Sequence, residues 1–260
     1  MFEIFPIADP VPWPFAGVFW PLGTTITAYL IFVLKLGPML MANREPFKLR
    51  GVLKVYNLFQ IIYNIILVLC GLYLLLWSKA YPDLSCIMIL PLDHEMKNVD
   101  RIINYLYLLN KIVDLLDTIF FVLRKSYKQI TLLHLIHHVY MPSGCYFFLR
   151  LYGFGGHLVL TGTFNSITHT VMYIYYYLSS QNPNIKQSIW WKQYVTIMQM
   201  VQFILMFIHS LWTLMQKECE MPYPLIFIVF FIAGLMLVMF TNFYIKSYLK
   251  KNTTTTNRKM

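Results

Sequence analysis

Long apolar runs, each about the width of a bilayer, follow one another along this chain with short polar segments between them. A helix crossing a hydrocarbon core of ~30 Å takes about 20 apolar residues, because the backbone must satisfy its own hydrogen bonds there. On that rule the pattern predicts seven spans, at residues 20–41, 55–78, 104–123, 132–150, 159–179, 193–214 and 225–247. The runs are too long and too continuous for the short alternating strands of a β-barrel. The predicted fold class is thus an all-α polytopic membrane protein with seven transmembrane helices. Connections are short, no internal repeat is evident, and the only low-complexity piece is Thr253 to Thr256, so one membrane domain is expected to fill residues 1–260.

Composition agrees: 58% of residues are hydrophobic, 12% are charged, and the mean hydropathy is +0.57, outside the usual range of soluble domains. The N-terminal stretch MFEIFPIADPVPWPF lacks a basic region and holds four prolines, so it reads as a tail rather than a cleavable signal. The net charge of +10 divides by side. Segments 42–54, 124–131, 180–192 and 246–260 hold fourteen Lys or Arg and one acid, Glu45, whereas the alternate segments hold five basic residues and eight acids. The positive-inside rule therefore places the N-terminal tail (1–19) away from the cytosol and the C-terminal tail (248–260) in it, as an odd number of spans requires. The basic segments are accounted for by topology and give no reason to expect nucleic acid.

Ionisable and amide side chains inside a span are costly unless paired or lining a cavity, so each is a functional candidate. The third span carries Asn110, Lys111, Asp114, Asp117 and Thr118 at three- and four-residue steps, which sets Lys111 beside a carboxylate on one helix face. In the fourth, LHLIHHVY sets His134, His137 and His138 at i, i+3 and i+4. The fifth bears Asn165, His169, Met172, Tyr173 and Tyr176 along one stripe, with Tyr175 and Tyr177 beside it, and the sixth opens with Thr196, Gln199 and Gln202. At 1.5 Å per residue these groups lie roughly 5 to 15 Å below the cytosolic helix ends, which points to one polar chamber open to the cytosol. Interhelical hydrogen bonding explains an isolated Thr196 or Asn165 equally well. It does not readily explain three histidines, two carboxylates and a lysine at matching depth.

These residues resemble the ELO-type very-long-chain fatty-acid elongases of the endoplasmic reticulum. The family's HxxHH box is met by His134-Leu-Ile-His137-His138, and its KxxExxDT motif is similar to Lys111-Ile-Val-Asp114-Leu-Leu-Asp117-Thr118. NxxxHxxMYxYY is met by Asn165 through Tyr176, TxxQxxQ by Thr196, Gln199 and Gln202, and Leu36 to Asn57 looks like the family's first cytosolic connection. Asp114 stands where the family usually has Glu, and the TNRKM terminus is not a good dilysine retrieval signal, so residence in the endoplasmic reticulum rests on the resemblance. The resemblance implies spans 2–7 in a ring around an acyl tunnel with span 1 outside. It also implies condensation of a long-chain acyl-CoA with malonyl-CoA, releasing CO2 and CoA and giving a 3-oxoacyl-CoA two carbons longer. Both thioesters are substrates, and no metal or other cofactor is expected. Implied partners are the bilayer and the reductases and dehydratase of the elongation cycle; a homodimer is left open, as are chain-length and unsaturation preference.

That chemistry needs a nucleophile or base and donors for an enolate or oxyanion. No cysteine lies at the expected chamber level, which leaves histidine, able to act both as base and as acyl acceptor. His137 and His169 are the expected acyl-transfer pair, positioned by His134 and His138. Asp114 or Asp117 would fix a tautomer, Lys111 would neutralise a carboxylate, and Asn165, Gln199 and Gln202 would donate hydrogen bonds. Tyr173 and Tyr176 are expected at the substrate. Arg124, Lys125, Lys128, Lys192 and Lys246 ring the cytosolic mouth, where CoA phosphates would bind. A covalent acyl-histidine and direct base catalysis both remain open. A di-iron desaturase or hydroxylase also uses HxxHH boxes but needs roughly eight imidazoles, and the chain has seven histidines. A lipid transporter would not require the box. Cys86 and Cys219 fall in the two non-cytosolic loops after spans 2 and 6, and in an oxidising lumen they are expected to pair.

Overall fold

A computed structural model of the chain describes residues 8–249. The sequon at Asn252, Arg258 and Lys259 of the C-terminal tail and the first seven residues of the N-terminal tail lie outside the described residues. Among the described residues the regular structure is helical, with no strand: α1 (Phe19–Met41), α2 (Arg50–Trp77), α3 (Lys97–Val113), α4 (Leu115–Leu123), α5 (Leu132–Leu151), α6 (His157–Gln181), the short α7 (Pro183–Gln187), α8 (Ile189–Met215) and α9 (Tyr223–Leu249). Of these, α1, α2, α8 and α9 are long and apolar enough to cross a membrane. The remaining long helices carry the polar stripes that lower their hydropathy.

The distribution of side chains on α2 is inverted relative to a soluble helix. Asn57, Gln60 and Asn64 are buried, while Val55, Phe59, Ile62, Ile66 and Leu69 are exposed. The same holds for α8, where Gln202, Ser210 and Thr213 are buried and Trp190, Val201, Ile208 and Trp212 are exposed. Large apolar residues facing outward around a polar interior are what a lipid solvent selects.

One difference from the sequence expectation concerns residues 104–123. The helix begins at Lys97, and Asp114 interrupts it: the Asp114 N–H still bonds Asn110 O at 2.9 Å, but the Asp117 N–H reaches back only three residues, to Asp114 O at 3.1 Å. A tightened turn thus sits within the KxxDxxDT motif.

The chain divides into two compact units. The first holds the described residues up to Leu53 with Leu69–Pro82 and Ile89–Gly162. Tyr29, Val33, Met41, Leu115 and Val122 form a buried cluster there, with Leu135 and Val139 packed against it. Gly37 allows the close approach of α1 to α4, since a Cβ there would stand 2.6 Å from Val122 Cγ1. At the end predicted to be non-cytosolic, buried Asp9 receives two Arg101 nitrogens at 2.7 and 2.9 Å and pairs with Lys97 at 3.2 Å. Burial alone would raise the Asp9 pKa, but Arg101 and Lys97 hold it below the ordinary value. Lys97 Nζ also donates to Phe154 O at 2.9 Å, and Asn104 Nδ2 donates to Asp100 at 2.9 Å. Gly155, at φ +103°, is required here twice over: the backbone is left-handed, and a Cβ would strike the Asp100 carboxylate.

The second unit holds Lys54–Val68, Asp83–Met88 and the chain from Thr163. In it α8 and α9 pack through Phe203 on Phe240 and Phe207 stacked on Phe230, with ring centroids 5.4 and 4.2 Å apart. Cys86 and Cys219 form a disulfide, their Cα atoms 5.7 Å apart. The end of α8 is laced to the same segment: His209 Nε2 lies 2.7 Å from Leu84 O, and the Thr213 hydroxyl donates to Ser85 O at 2.9 Å.

Candidate active site: the histidine box and its polar neighbours

Within the first unit, α5 is started by Thr131, whose side-chain oxygen accepts the His134 N–H at 3.2 Å. The helical spacing then sets the three box histidines on one face. His138 is buried and His134 and His137 are half-buried, with ring centroids 4.1 Å apart for His134 and His138 and 5.6 Å for His137 and His138. Thr118, the last residue of the KxxDxxDT motif, lies 2.8 Å from His134 Nε2 and 2.8 Å from the Tyr29 hydroxyl of α1. The Thr118 hydroxyl has one proton, so the direction of this relay decides whether Nε2 of His134 accepts or donates. One turn before it, Lys111 Nζ and Asp114 Oδ2 are 2.7 Å apart with both residues buried, and the ammonium stands 5.2 Å from the Tyr107 ring centroid. Pairing of opposite charges offsets part of the cost of burying both groups. Asp117 is buried on the same segment.

Within the second unit, Asn165, His169, Met172 and Tyr173 are buried along α6 and Tyr176 is half-buried. The His169 and Tyr173 rings meet at 5.9 Å and Tyr173 meets Tyr176 at 6.0 Å. The two motifs of this unit touch where Gln199 Nε2 is 3.9 Å from Met172 Sδ; within α8, Gln202 Nε2 is 3.9 Å from Met206 Sδ. Thr196 donates to Lys192 O at 2.9 Å and stands 3.4 Å from the Tyr248 hydroxyl. Of the five cations expected at a cytosolic rim, Arg124, Lys125 and Lys192 are half-buried and Lys128 and Lys246 exposed. Lys125 Nζ donates to Ala42 O at 3.2 Å, joining the two basic connections of the first unit.

Two sets of residues escape the sequence reading. Tyr29 carries no motif and lies in an otherwise apolar run, so only the structure links it to His134. Tyr56, Gln60 and Asn64 had a signal available, a polar i, i+4, i+8 series inside the second span, which its strong hydropathy obscured. Among the described residues no group of three or more His, Cys, Asp or Glu side chains is gathered as a metal-ligand set.

The profile of the ELO family, described as GNS1/SUR4, matches residues 14–256. This chain belongs to the ELO family. Very long chain fatty acid elongase F of Drosophila melanogaster is 43% identical over 247 residues, covering 95% of this chain and 96% of the relative. Very long chain fatty acid elongase 1 is 32% identical in Mus musculus and 33% in Homo sapiens, each alignment covering 95% of this chain and 89% of the relative. The family match thus spans α1 through α9, the stretch in which all four motifs described above lie.

Proposed function

We infer that this chain is the condensing enzyme of fatty-acid elongation. A long-chain acyl-CoA and malonyl-CoA, with one proton, give a 3-oxoacyl-CoA two carbons longer, CO2 and free CoA. The observation that carries the reading is the near full-length match to elongases together with a histidine box wired through Thr118 to the KxxDxxDT segment. Each of the relatives named above is a very long chain fatty acid elongase. The proposed architecture is a single membrane domain of seven spans, with spans 2–7 around an acyl tunnel, in the endoplasmic reticulum membrane with the N-terminus luminal. The inverted burial of α2 and α8 and the charge division between loops support it.

In the proposed chemistry His137 and His169 serve acyl transfer and deprotonation. His134 and His138 orient them, and the Lys111–Asp114 pair with Asp117 sets the local charge. Asn165, Gln199 and Gln202 donate to developing negative charge, Tyr173 and Tyr176 meet the reacting end of the substrate, and the rim cations bind CoA phosphates. Loss of CO2 from the malonyl group leaves a carbanion equivalent that attacks the acyl carbonyl, expelling the thiolate or the histidine that carried the acyl group. The 3-oxoacyl-CoA then passes to the reductases and dehydratase of the cycle. Incubation of purified protein with malonyl-CoA and a panel of acyl-CoAs tests the reading by the mass of the product.

A further inference from the structure

In the second unit the buried face of α2 continues as a line of hydrogen bonds that ends on the histidine-bearing helix. Asn64 Nδ2 stands 3.4 Å from Gln60 Oε1 and donates to Gln60 O at 2.8 Å. Gln60 Nε2 donates to the Tyr56 hydroxyl at 3.2 Å, and the Tyr56 and Tyr173 hydroxyls are 3.4 Å apart, their rings edge to face at 5.9 Å. Gln60, Asn64 and Tyr173 are 0% exposed and Tyr56 is 8% exposed. Lipid-embedded helices have no use for buried amides at this cost unless the amides hold something in place.

The chemistry of the donors fixes the direction of the Gln60–Tyr56 step. An amide nitrogen donates and does not accept, so Gln60 occupies a lone pair of the Tyr56 oxygen and the Tyr56 proton turns away from it. The nearest hydroxyl along the line is that of Tyr173, and either of the two oxygens could donate to the other. With Tyr56 as the donor, the Tyr173 proton is directed away from Tyr56. Hydrogen bonds aligned head to tail polarise one another, so the last donor is stronger than an isolated phenol.

We propose that Tyr56 donates to Tyr173 and that Tyr56, Gln60 and Asn64 are thereby positioning residues for condensation, which aim and strengthen the Tyr173 hydroxyl as a donor to the thioester carbonyl oxygen as it becomes an oxyanion. The proposal rests on the condensing-enzyme reading and on Tyr173 meeting the reacting end of the substrate. A donor whose work grows as charge develops acts mainly in the transition state, so its loss lowers kcat more than it raises KM.

The test is steady-state condensation by detergent-purified full-length protein, with thermal unfolding of each variant as a control. Tyr56→Phe keeps the ring contact and deletes one hydroxyl. Gln60→Leu keeps approximate volume and deletes the donor. Each should lower kcat about tenfold or more with the acyl-CoA KM within about twofold, in the range of general hydrogen-bond contributions to catalysis. The double variant should be no worse than the poorer single one, because both cut the same line. Gln60→Glu can donate to Tyr56 only when protonated, so its kcat relative to wild type should fall as pH rises, whereas that of Gln60→Leu should stay in constant ratio. Folded Tyr56→Phe with wild-type kcat overturns the proposal, and so do losses that multiply in the double variant. If a Gln60 variant does not fold, Tyr56→Phe decides alone. Wild-type protein that yields no 3-oxoacyl-CoA overturns the condensing-enzyme reading instead.

Discussion

Spacing on a helix announces which side chains share a face, and here it was enough to single out His134, His137 and His138 in an apolar run. It does not announce partners. The sequence expectation gave a tautomer-fixing role to Asp114 or Asp117; the structure adds a hydroxyl beside the box, Thr118, 2.8 Å from His134 Nε2 and backed by Tyr29 of a different helix. A hydroxyl partner is invisible to sequence because threonine and tyrosine are common in membrane helices for ordinary reasons. His137→Ala and His169→Ala should each reduce condensation by about a thousandfold, in the middle of the range for loss of an acid–base group, in protein that still unfolds cooperatively in detergent. Retained turnover in either variant removes that histidine from the pair. Asp100, four residues ahead of the expected third span, provides a pH test. Burial raises its carboxyl from 3.8 to about 6, against the opposing pull of Lys97, Tyr81 and Asn104. The folded state therefore holds a proton that the unfolded chain releases near pH 3.8, so stability falls as pH rises between 3.8 and about 6 and the full penalty stands above. A shift of this size corresponds to on the order of 3 kcal/mol. Moving from about pH 7 to about pH 5 should raise the wild-type unfolding temperature through this group, and Asp100→Asn should lose that increment. An unaltered pH dependence in the variant would sink the assignment.

At the level of elements, helix existence was legible throughout because bilayer thickness dictates a length. What was not legible is where a helix starts beyond the bilayer or breaks within it. Lys97 and Asp100 look like loop residues by polarity, yet Asp9, Arg101 and Asn104 bury them in a network that extends α3 past the apolar run. Asp114 breaks the same span where a charged pair competes with regular helix geometry. Charge counting across loops placed Cys86 and Cys219 on one side, and the structure bonds them across a separation of 133 residues. Long closed loops give up to roughly 5 kcal/mol in the chain-entropy view, an upper figure where helices already confine the ends. Cys219→Ser should lower the unfolding temperature by several degrees. In denatured, unreduced protein a thiol reagent should reach Cys70 and Cys145 alone. Modification of all four cysteines without reductant would contradict the bond.

For the whole molecule, four ordered motifs identified the family from sequence because condensation fixes particular side chains at particular spacings, while the rest of each span need only be apolar. The polar series Tyr56, Gln60 and Asn64 lay outside those motifs, inside a strongly apolar helix, and its partner Tyr173 is more than a hundred residues away in sequence. Pairings of that range depend on packing, which hydropathy does not encode. The central claim is that this chain forms a carbon–carbon bond between two thioesters. Purified protein given a long-chain acyl-CoA and malonyl-CoA carrying a 13C label at its methylene carbon decides it by mass spectrometry. The expected product is a 3-oxoacyl-CoA two carbons longer, labelled at the carbon between the two carbonyls, together with one CO2 and one free CoA per product. Release of CO2 or CoA without a lengthened acyl-CoA, or an acyl chain altered at unchanged length, would contradict it.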